Sequence, residues 1–229
     1  MIRALYTAAS GMITQSLKQD VIANNIANAQ TPGFRRQRVV SASFYDTLRN
    51  STATLLDKQK PPYPDSTAQT VVVNAEEGVD TSQGPVHQTD NPCNFAIDGP
   101  GAFEVGTGAS TRQTRNGSFV IDKDGELATT DGEKVMGRSG PIRIPKGSWS
   151  VNSTGAVISN GAVVDQIKIV GGDPAKTQVM QGYIEDSNVN IIREMVDMIA
   201  NVRSFEANQK VVTDIDHTLD KLINEAGKV

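Results

Sequence analysis

The chain has 229 residues, of which 38% are hydrophobic, so it can bury a core and form one large or two small domains rather than a disordered tail. Its formal net charge of −4 and pI near 5.2 argue against a nucleic-acid-binding protein, and its single cysteine, Cys93, excludes an internal disulfide. No apolar run approaches the ~18 residues of a membrane span, and the N-terminal residues lack the apolar stretch of a secretory signal peptide.

Charge is unevenly distributed between the two ends of the chain. Residues 1–50 contain six basic and two acidic side chains, whereas residues 183–229 contain five basic and nine acidic ones. Because opposite charges attract, we expect the two ends to associate, either within one chain or between neighbouring copies.

The first predicted element is a long helix over residues 2–28. Its apolar side chains recur at helical spacing, and one heptad register places Leu5, Met12 and Ile26 in a single row. We therefore expect these three residues to pack in an apolar seam. The Thr-Pro-Gly sequence at 31–33 disfavours helical backbone, so the helix should stop near residue 29.

Three asparagines occupy the end of this helix, although asparagine is a poor helix former. They are Asn24, Asn25 and Asn28. A buried amide in a helical seam stabilises one register over others, so we interpret them as register-setting contacts. Asn201 and Asn208, seven residues apart near the other end of the chain, are their candidate partners.

A basic cluster follows the turn, formed by Arg35, Arg36 and Arg38. Too little positive charge surrounds it for a nucleic-acid site. We predict instead that Arg35 and Arg36 make electrostatic links to acidic helices.

The amino-acid composition changes twice in the middle of the chain. Residues 45–84 are rich in Ser, Thr and Pro, which indicates an extended connection with one strand near 71–73. From residue 85 onwards, short apolar stretches alternate with turn signals every seven to twelve residues. This pattern predicts a β domain of hairpins, with tight turns at Asp124-Gly125, Asp131-Gly132 and Asn160-Gly161.

Catalytic and metal sites find little support in this region. The acids of "DKDGELATTDGE" mimic part of a calcium loop, but Leu127 stands where such a loop needs glycine. Neither His87 nor His217 lies beside a recognisable nucleophile motif. We predict no catalytic, metal-binding or cofactor-binding residues and no cofactor, with paired carboxylates of a glycan-hydrolysing enzyme as the alternative, since such partners meet only in the fold.

The last predicted element is a helix over residues 189–225, capped by Ser187 or Asn188. Every seventh residue from Ile191 is apolar or small, and this row predicts four packing residues. They are Met198, Phe205, Val212 and Leu219. Five consecutive heptads indicate a coiled-coil partner, and the alternative is a helix packed inside one compact domain.

Three motifs together resemble one protein family. The N-terminal "MIRALYTAASGM" and "DVIANNIANAQTPGFRRQRV" resemble the opening signature of the bacterial flagellar rod and hook axial proteins. The C-terminal "GYIEDSNVNIIREMVDMIANVRSFEANQKVVTDID" is similar to the closing signature of the same family, and "RNGSFVIDKDGELATTDGEKVMG" to its β domain. The resemblance covers the chain except residues 45–84, and the short β domain favours a rod member over a hook protein without separating the rod members.

Membership would imply an α+β fold in which long terminal helices form a coiled-coil-like domain around an inserted, mainly antiparallel β domain. The expected boundaries are 1–44 with 183–229 for the helical domain, 45–84 for the connection and 85–182 for the β domain. In the isolated monomer, we expect the two terminal helices to be largely mobile.

The implied function is structural: a subunit that polymerises helically into a rigid hollow shaft, transmitting torque and enclosing an export channel. The implied partners are further copies, other rod proteins, the hook protein, the surrounding basal-body rings and the flagellar type III export apparatus, without nucleic acid and without a membrane span. The implied location is the basal body in the cell envelope, reached without a cleaved signal peptide. The alternatives are an enzyme acting on peptidoglycan and a hook-type axial protein.

Overall fold

The computed structural model of the chain describes residues 2–43, 72–107, 110–145, 147–173 and 176–226. It forms two compact units, and both are discontinuous in sequence. The first unit contains Met1–Ala27, Gln37–Asp80 and Asn190–Val229, and the second contains Asn28–Arg36 and Thr81–Val189. The two ends of the chain therefore belong to one unit, and most of the middle forms the other.

Two long helices form most of the first unit. They are α1 (Ile2–Ala27) and α2 (Ile191–Ala226), which pack against each other. The predicted spans of 2–28 and 189–225 agree with these bounds to within two residues, and the α+β fold with a mainly antiparallel β domain between terminal helices is confirmed.

The start of α2 differs from the prediction. Asn190 caps the helix, because its Oδ1 accepts a hydrogen bond from the backbone N–H of Arg193 at 3.1 Å. The predicted caps have other roles just upstream. Ser187 Oγ accepts from the backbone N–H of Val189, and Asn188 Oδ1 accepts from the backbone N–H of Arg36.

A two-stranded antiparallel ribbon completes the first unit. Strand β1 (Gln37–Ser43) pairs with β2 (Val72–Val79), with Gln37 opposite Val79. The strand expected near 71–73 therefore begins at Val72 and is longer than predicted. Residues 45–71 of the predicted connection lie outside the described residues.

The second unit contains thirteen described strands. They are β3 (Val86–Gln88), β4 (Phe95–Asp98), β5 (Ala102–Thr107), β6 (Ser110–Thr114), β7 (Phe119–Ile121), β8 (Leu127–Thr129), β9 (Lys134–Val135), β10 (Trp149–Val151), β11 (Ala156–Ser159), β12 (Ala162–Gln166), β13 (Ile169–Val170), β14 (Gln178–Gln181) and β15 (Tyr183–Glu185). The largest sheet has the order β13-β5-β9-β8-β7, with β6 also paired to β5. Smaller sheets join β10-β11-β12, β4 with β14, and β3 with β15, and every pairing is antiparallel.

Hairpin turns hold this domain in register, as the turn signals predicted. Asn160 and Gly161 both have positive φ, 51° and 82°, between the paired ends of β11 and β12. This backbone is the two-residue hairpin that an Asn-Gly sequence favours. Gly125 and Gly132 also have positive φ, which glycine adopts without a steric penalty.

The core of the second unit is built around three phenylalanines. Phe95, Phe103 and Phe119 are at most 1% exposed, and the rings of Phe103 and Phe119 meet edge to face at 5.3 Å. Buried aliphatic side chains, with Val105, Leu127 and Val157 among the most enclosed, fill the space around them. All the described residues of this core belong to the second unit.

Candidate assembly surfaces

One asparagine joins three elements of the helical unit. The Asn25 amide forms two hydrogen bonds with the backbone of Gln37, donating to its carbonyl at 2.8 Å and accepting from its N–H at 2.9 Å. Its Nδ2 also donates to Oε2 of Glu194 at 3.1 Å. Asn25 and Glu194 are each only 1% exposed. This junction connects the end of α1, the start of β1 and the first turn of α2.

Further along the helix pair, two other asparagines, both on α2, face α1. Asn201 is 6% exposed and donates from Nδ2 to the backbone carbonyl of Gln15 at 2.8 Å. Asn208 Nδ2 lies 3.0 Å from the position that a Cβ would occupy at Gly11. Since α2 residues of increasing number meet α1 residues of decreasing number, the helices are antiparallel.

The buried side chains of the two helices are mostly small or polar. On α1 they are Ala8, Thr14, Val21 and Asn25, and on α2 they are Glu194 and Asn201. We call the face along which the helices meet, from Asn25 with Glu194 to Gly11 with Asn208, the seam. Hydrogen bonds and a close approach at Gly11 hold the seam together.

The predicted packing residues are incompletely covered within this chain. Leu5 is 39% exposed, and the other six are half-buried. They are Met12, Ile26, Met198, Phe205, Val212 and Leu219. Part of each side chain is therefore left for contacts outside the chain.

Large apolar side chains form an exposed patch on each helix. The α1 patch contains Leu5, Tyr6, Ile13 and Leu17, with Tyr6 68% and Ile13 64% exposed. The α2 patch contains Ile192, Met195, Val196 and Ile199, with Ile192 76% and Val196 60% exposed. The spacing i, i+3, i+4, i+7 places the α2 patch on one helix face. Exposed apolar patches of this kind mark interaction surfaces.

The remaining predicted asparagines have different environments. Asn24 is exposed, whereas Asn28 is half-buried and accepts a hydrogen bond from Thr31 Oγ1 in the turn after α1. Asn25 and Asn201 each bond to other groups, rather than to each other as the sequence interpretation proposed.

A buried carboxylate contacts the segments where the chain enters and leaves the β unit. Glu185, on β15, is 1% exposed and lies 3.1 Å from Arg35 and 2.8 Å from Arg115. The backbone N–H of Gly84 also donates to its Oε1, at 3.1 Å. We call this group the arginine cluster. Four separate segments of the β unit meet at this one carboxylate.

The turn after α1 is shaped to approach the cluster closely. Gly33 has φ 68°, and a Cβ there would lie 2.3 Å from the backbone of Arg115. Any other residue at this position would therefore clash. Arg35 forms its ion pair with a strand of its own chain, in contrast to the predicted link to acidic helices, and Arg36 binds Asn188 through its backbone N–H.

Three residues of these surfaces were missed by sequence reasoning. Glu194 could have been found, because it precedes Asn201 and Asn208 by seven and fourteen residues and so shares their heptad row. Glu185 and Arg115 are 70 residues apart, and no local pattern links them.

Two acidic side chains of the stretch that mimics a calcium loop are paired with cations. Glu133 lies 2.6 Å from Arg112, and Glu126 pairs with Lys134. The hydrogen bond to Glu126 and then its charge raise the pKa of Lys134 above its ordinary value. Within the described ranges, no group of three His, Cys, Asp or Glu side chains could hold a metal ion. The described helices also include none long and apolar enough to cross a membrane.

Three family descriptions match successive parts of the chain. "Flagella basal body rod protein" matches residues 5–35, "Flagellar hook protein FlgE/F/G D1 domain" matches residues 96–165, and "Flagellar basal body rod FlgEFG protein C-terminal" matches residues 180–225. The first and last contain the two helices, and the middle one lies in the β unit.

Full-length relatives carry the names of two rod proteins. The flagellar basal-body rod protein FlgG of Bacillus subtilis is 31% identical over 98% of this chain and 99% of its own length. FlgF of Escherichia coli is 32% identical over 94% of this chain and 95% of its own. FlgG of Agrobacterium fabrum is 32% identical over 94% and 96%, respectively.

Proposed function

Because this chain belongs to the flagellar basal-body rod proteins and is a structural subunit of the rod, we propose that its copies polymerise helically into a rigid hollow shaft. The shaft transmits torque and encloses an export channel. Membership places the chain in the basal body, in an assembly with other rod and hook components.

The exposed apolar patches on α1 and α2 are the observation that carries this proposal. Eight large apolar side chains face solvent, while the seam between the same helices buries asparagine, threonine and glutamate. A helix pair that is stable without partners would bury its large apolar residues, because burial of apolar area is the main contribution to stability. Contact with neighbouring copies would cover the patches and provide the missing burial.

The two helices act in this proposal as a coiled-coil-like inner layer, and the β unit as an outward-facing domain. Further copies, other rod proteins and the hook protein meet the helical layer, and the basal-body rings surround the shaft. The chain reaches the cell envelope through the type III export apparatus.

Substitution of Phe205 tests the assembly role. Phe205→Asp places an unpaired charge beside the seam, where desolvation is costly, so assembly and motility should be lost while Trp149 fluorescence reports a folded β unit. Ser204→Asp, on the exposed face of the same helix, is the matched control and should assemble normally. Normal motility of the Phe205→Asp variant would contradict the proposal.

We propose further that the subunit has no catalytic activity towards the cell wall. A zymogram of the purified chain on peptidoglycan should show no clearing. Clearing that is abolished by replacement of one acid within residues 98–133 would establish the enzymatic alternative instead.

A further inference from the structure

We propose that the α1 patch of one copy docks on the α2 patch of the next, with the two copies displaced by about 19 Å along the helix-pair axis. This inference rests on the proposed function and specifies which surfaces meet in the polymer. The occupant of each patch is therefore a second copy of this chain.

The displacement follows from the register of the seam. Asn25 meets Glu194 and Gly11 meets Asn208, so residues level with each other on the two helices have numbers that add up to a constant. The centre of the α2 patch, near residue 195, is therefore level with about residue 24 of α1. The α1 patch is centred near residue 11. At 1.5 Å per residue, the patches are offset by about 19 Å.

This offset prevents copies that point the same way from joining side by side at equal height. Two such copies bring the patches together only when one is shifted along the axis, and the second copy then presents its own unfilled α1 patch to a third. A contact between two different surfaces continues into an open helical polymer unless it closes into a ring. The positions of the two patches on one subunit thus define the direction and the length of the displacement from one copy to the next.

The two patches match in size and in surrounding charge. Each patch exposes roughly 450 Å² of apolar side-chain surface. Apolar patches of this area on monomeric proteins are often functional. Residues 2–19, which contain the α1 patch, carry two basic and no acidic side chains, so pairing of two α1 patches would bring like charges together. Besides the buried Glu194, residues 190–206 carry two acidic and two basic side chains, so the α2 patch adds no such repulsion and is the more favourable partner for α1.

One such contact is too small to form a stable pair. Docking of the two patches would bury roughly 900 Å², below the size of ordinary specific interfaces. Dilute copies should therefore remain monomeric, and association should appear only above a threshold concentration at which each copy gains several neighbours.

Introduction of opposite charges into the two patches tests the pairing. Ile13→Lys and Val196→Glu should each raise the threshold concentration for polymerisation of the full-length chain by about tenfold or more, because each places a lone charge in an apolar contact. A chain carrying both changes should recover most of the loss, because the lysine of one copy meets the glutamate of the next. Sedimentation velocity over a concentration series measures the threshold.

Two matched combinations serve as controls. Ile13→Glu with Val196→Glu should not recover polymerisation, since like charges would meet. Ile13→Lys with Val211→Glu should not recover it either. Val211 is 46% exposed and lies on α2 at the level of the α1 patch, so recovery through it would indicate unshifted copies.

The outcomes separate this inference from the proposed function. If the unsubstituted chain polymerises but the Lys–Glu combination behaves no better than either single change, or Val211 recovers equally well, the pairing is wrong and the structural function stands. Association that stops at two copies also contradicts the pairing. A chain that stays monomeric at every concentration, alone and with its rod partners, contradicts the proposed function itself.

Discussion

At the scale of single residues, buried polar groups define the geometry of this subunit. The Asn25 amide offers a donor and an acceptor, as a peptide group does, and so it binds both backbone groups of Gln37 while reaching Glu194. The three groups make all of these hydrogen bonds only in this arrangement. Other arrangements are disfavoured, because an unmade hydrogen bond in a buried site is costly. The sequence interpretation of Asn25 as a register-setting residue remains a prediction, and its observed partners specify how to test it.

Asn25→Ala should loosen the junction locally. The change removes three hydrogen bonds and leaves the Glu194 carboxylate and the Gln37 backbone short of partners, at a cost of about 2 to 4 kcal/mol. Amide hydrogen exchange should show faster exchange in residues 20–27 and 191–198. Gln19→Ala, at an exposed position of the same helix, is the control and should change the free energy of exchange by less than about 0.5 kcal/mol. Equal effects of the two changes would show that the junction has no special role.

Glu185→Gln should destabilise the β unit. The substitution keeps the shape of the side chain but leaves Arg35 and Arg115 without their carboxylate, and removal of one partner from a buried ion pair costs about 3 to 5 kcal/mol. Denaturant unfolding followed through Trp149 measures the loss. Asp186→Asn is the control, because Asp186 is 46% exposed and pairs only with His87 among the described ion pairs. An unchanged unfolding midpoint for Glu185→Gln would contradict the importance of the arginine cluster.

At the scale of elements, periodicity in the sequence predicted which segments are helices but not which faces meet. Heptad spacing placed α1 and α2 correctly, and Asn-Gly and Asp-Gly pairs located the hairpin turns. The prediction that Leu5 packs in an apolar seam did not specify whether the partner helix belongs to the same chain or to a neighbouring copy. In a subunit covered by neighbours, apolar rows can face other copies, and a single sequence does not distinguish the two cases.

Close approach of the helices at Gly11 leads to a prediction about the seam. Gly11→Val should raise the threshold concentration for polymerisation, because the added methyl groups meet the Asn208 amide and overpacking costs about 1 to 3 kcal/mol. Asn208→Ala in the same chain removes the obstructing amide and should recover part of the loss. If Asn208→Ala gives no recovery, the helices do not pack at this position in the polymer.

At the scale of the whole molecule, the two units have different sources of stability. The β unit encloses a phenylalanine core of its own, whereas the helical unit exposes most of its large apolar side chains. Long helices with little apolar burial gain little from propensity alone. The sequence predicted this contrast from the length of the helices, but the anchoring of their adjoining ends at Asn25 and Glu194 needed the structure, because those contacts join residues 169 positions apart.

The rod account therefore predicts a subunit that is ordered throughout only after assembly. In a dilute monomer, the β unit should be protected from exchange, the Asn25 junction should be moderately protected, and the rest of both helices should exchange fast. Neighbours that cover the patches should protect the helices along their length in the polymer.

Amide hydrogen exchange on the same preparation, as a dilute monomer and as a polymer, tests this central claim most directly. We expect residues 2–18 and 202–226 to exchange at least about 100-fold more slowly in the polymer, which corresponds to about 2.7 kcal/mol, while the β unit is unchanged. Strong protection of both helices already in the dilute monomer, or no gain on assembly, would contradict it.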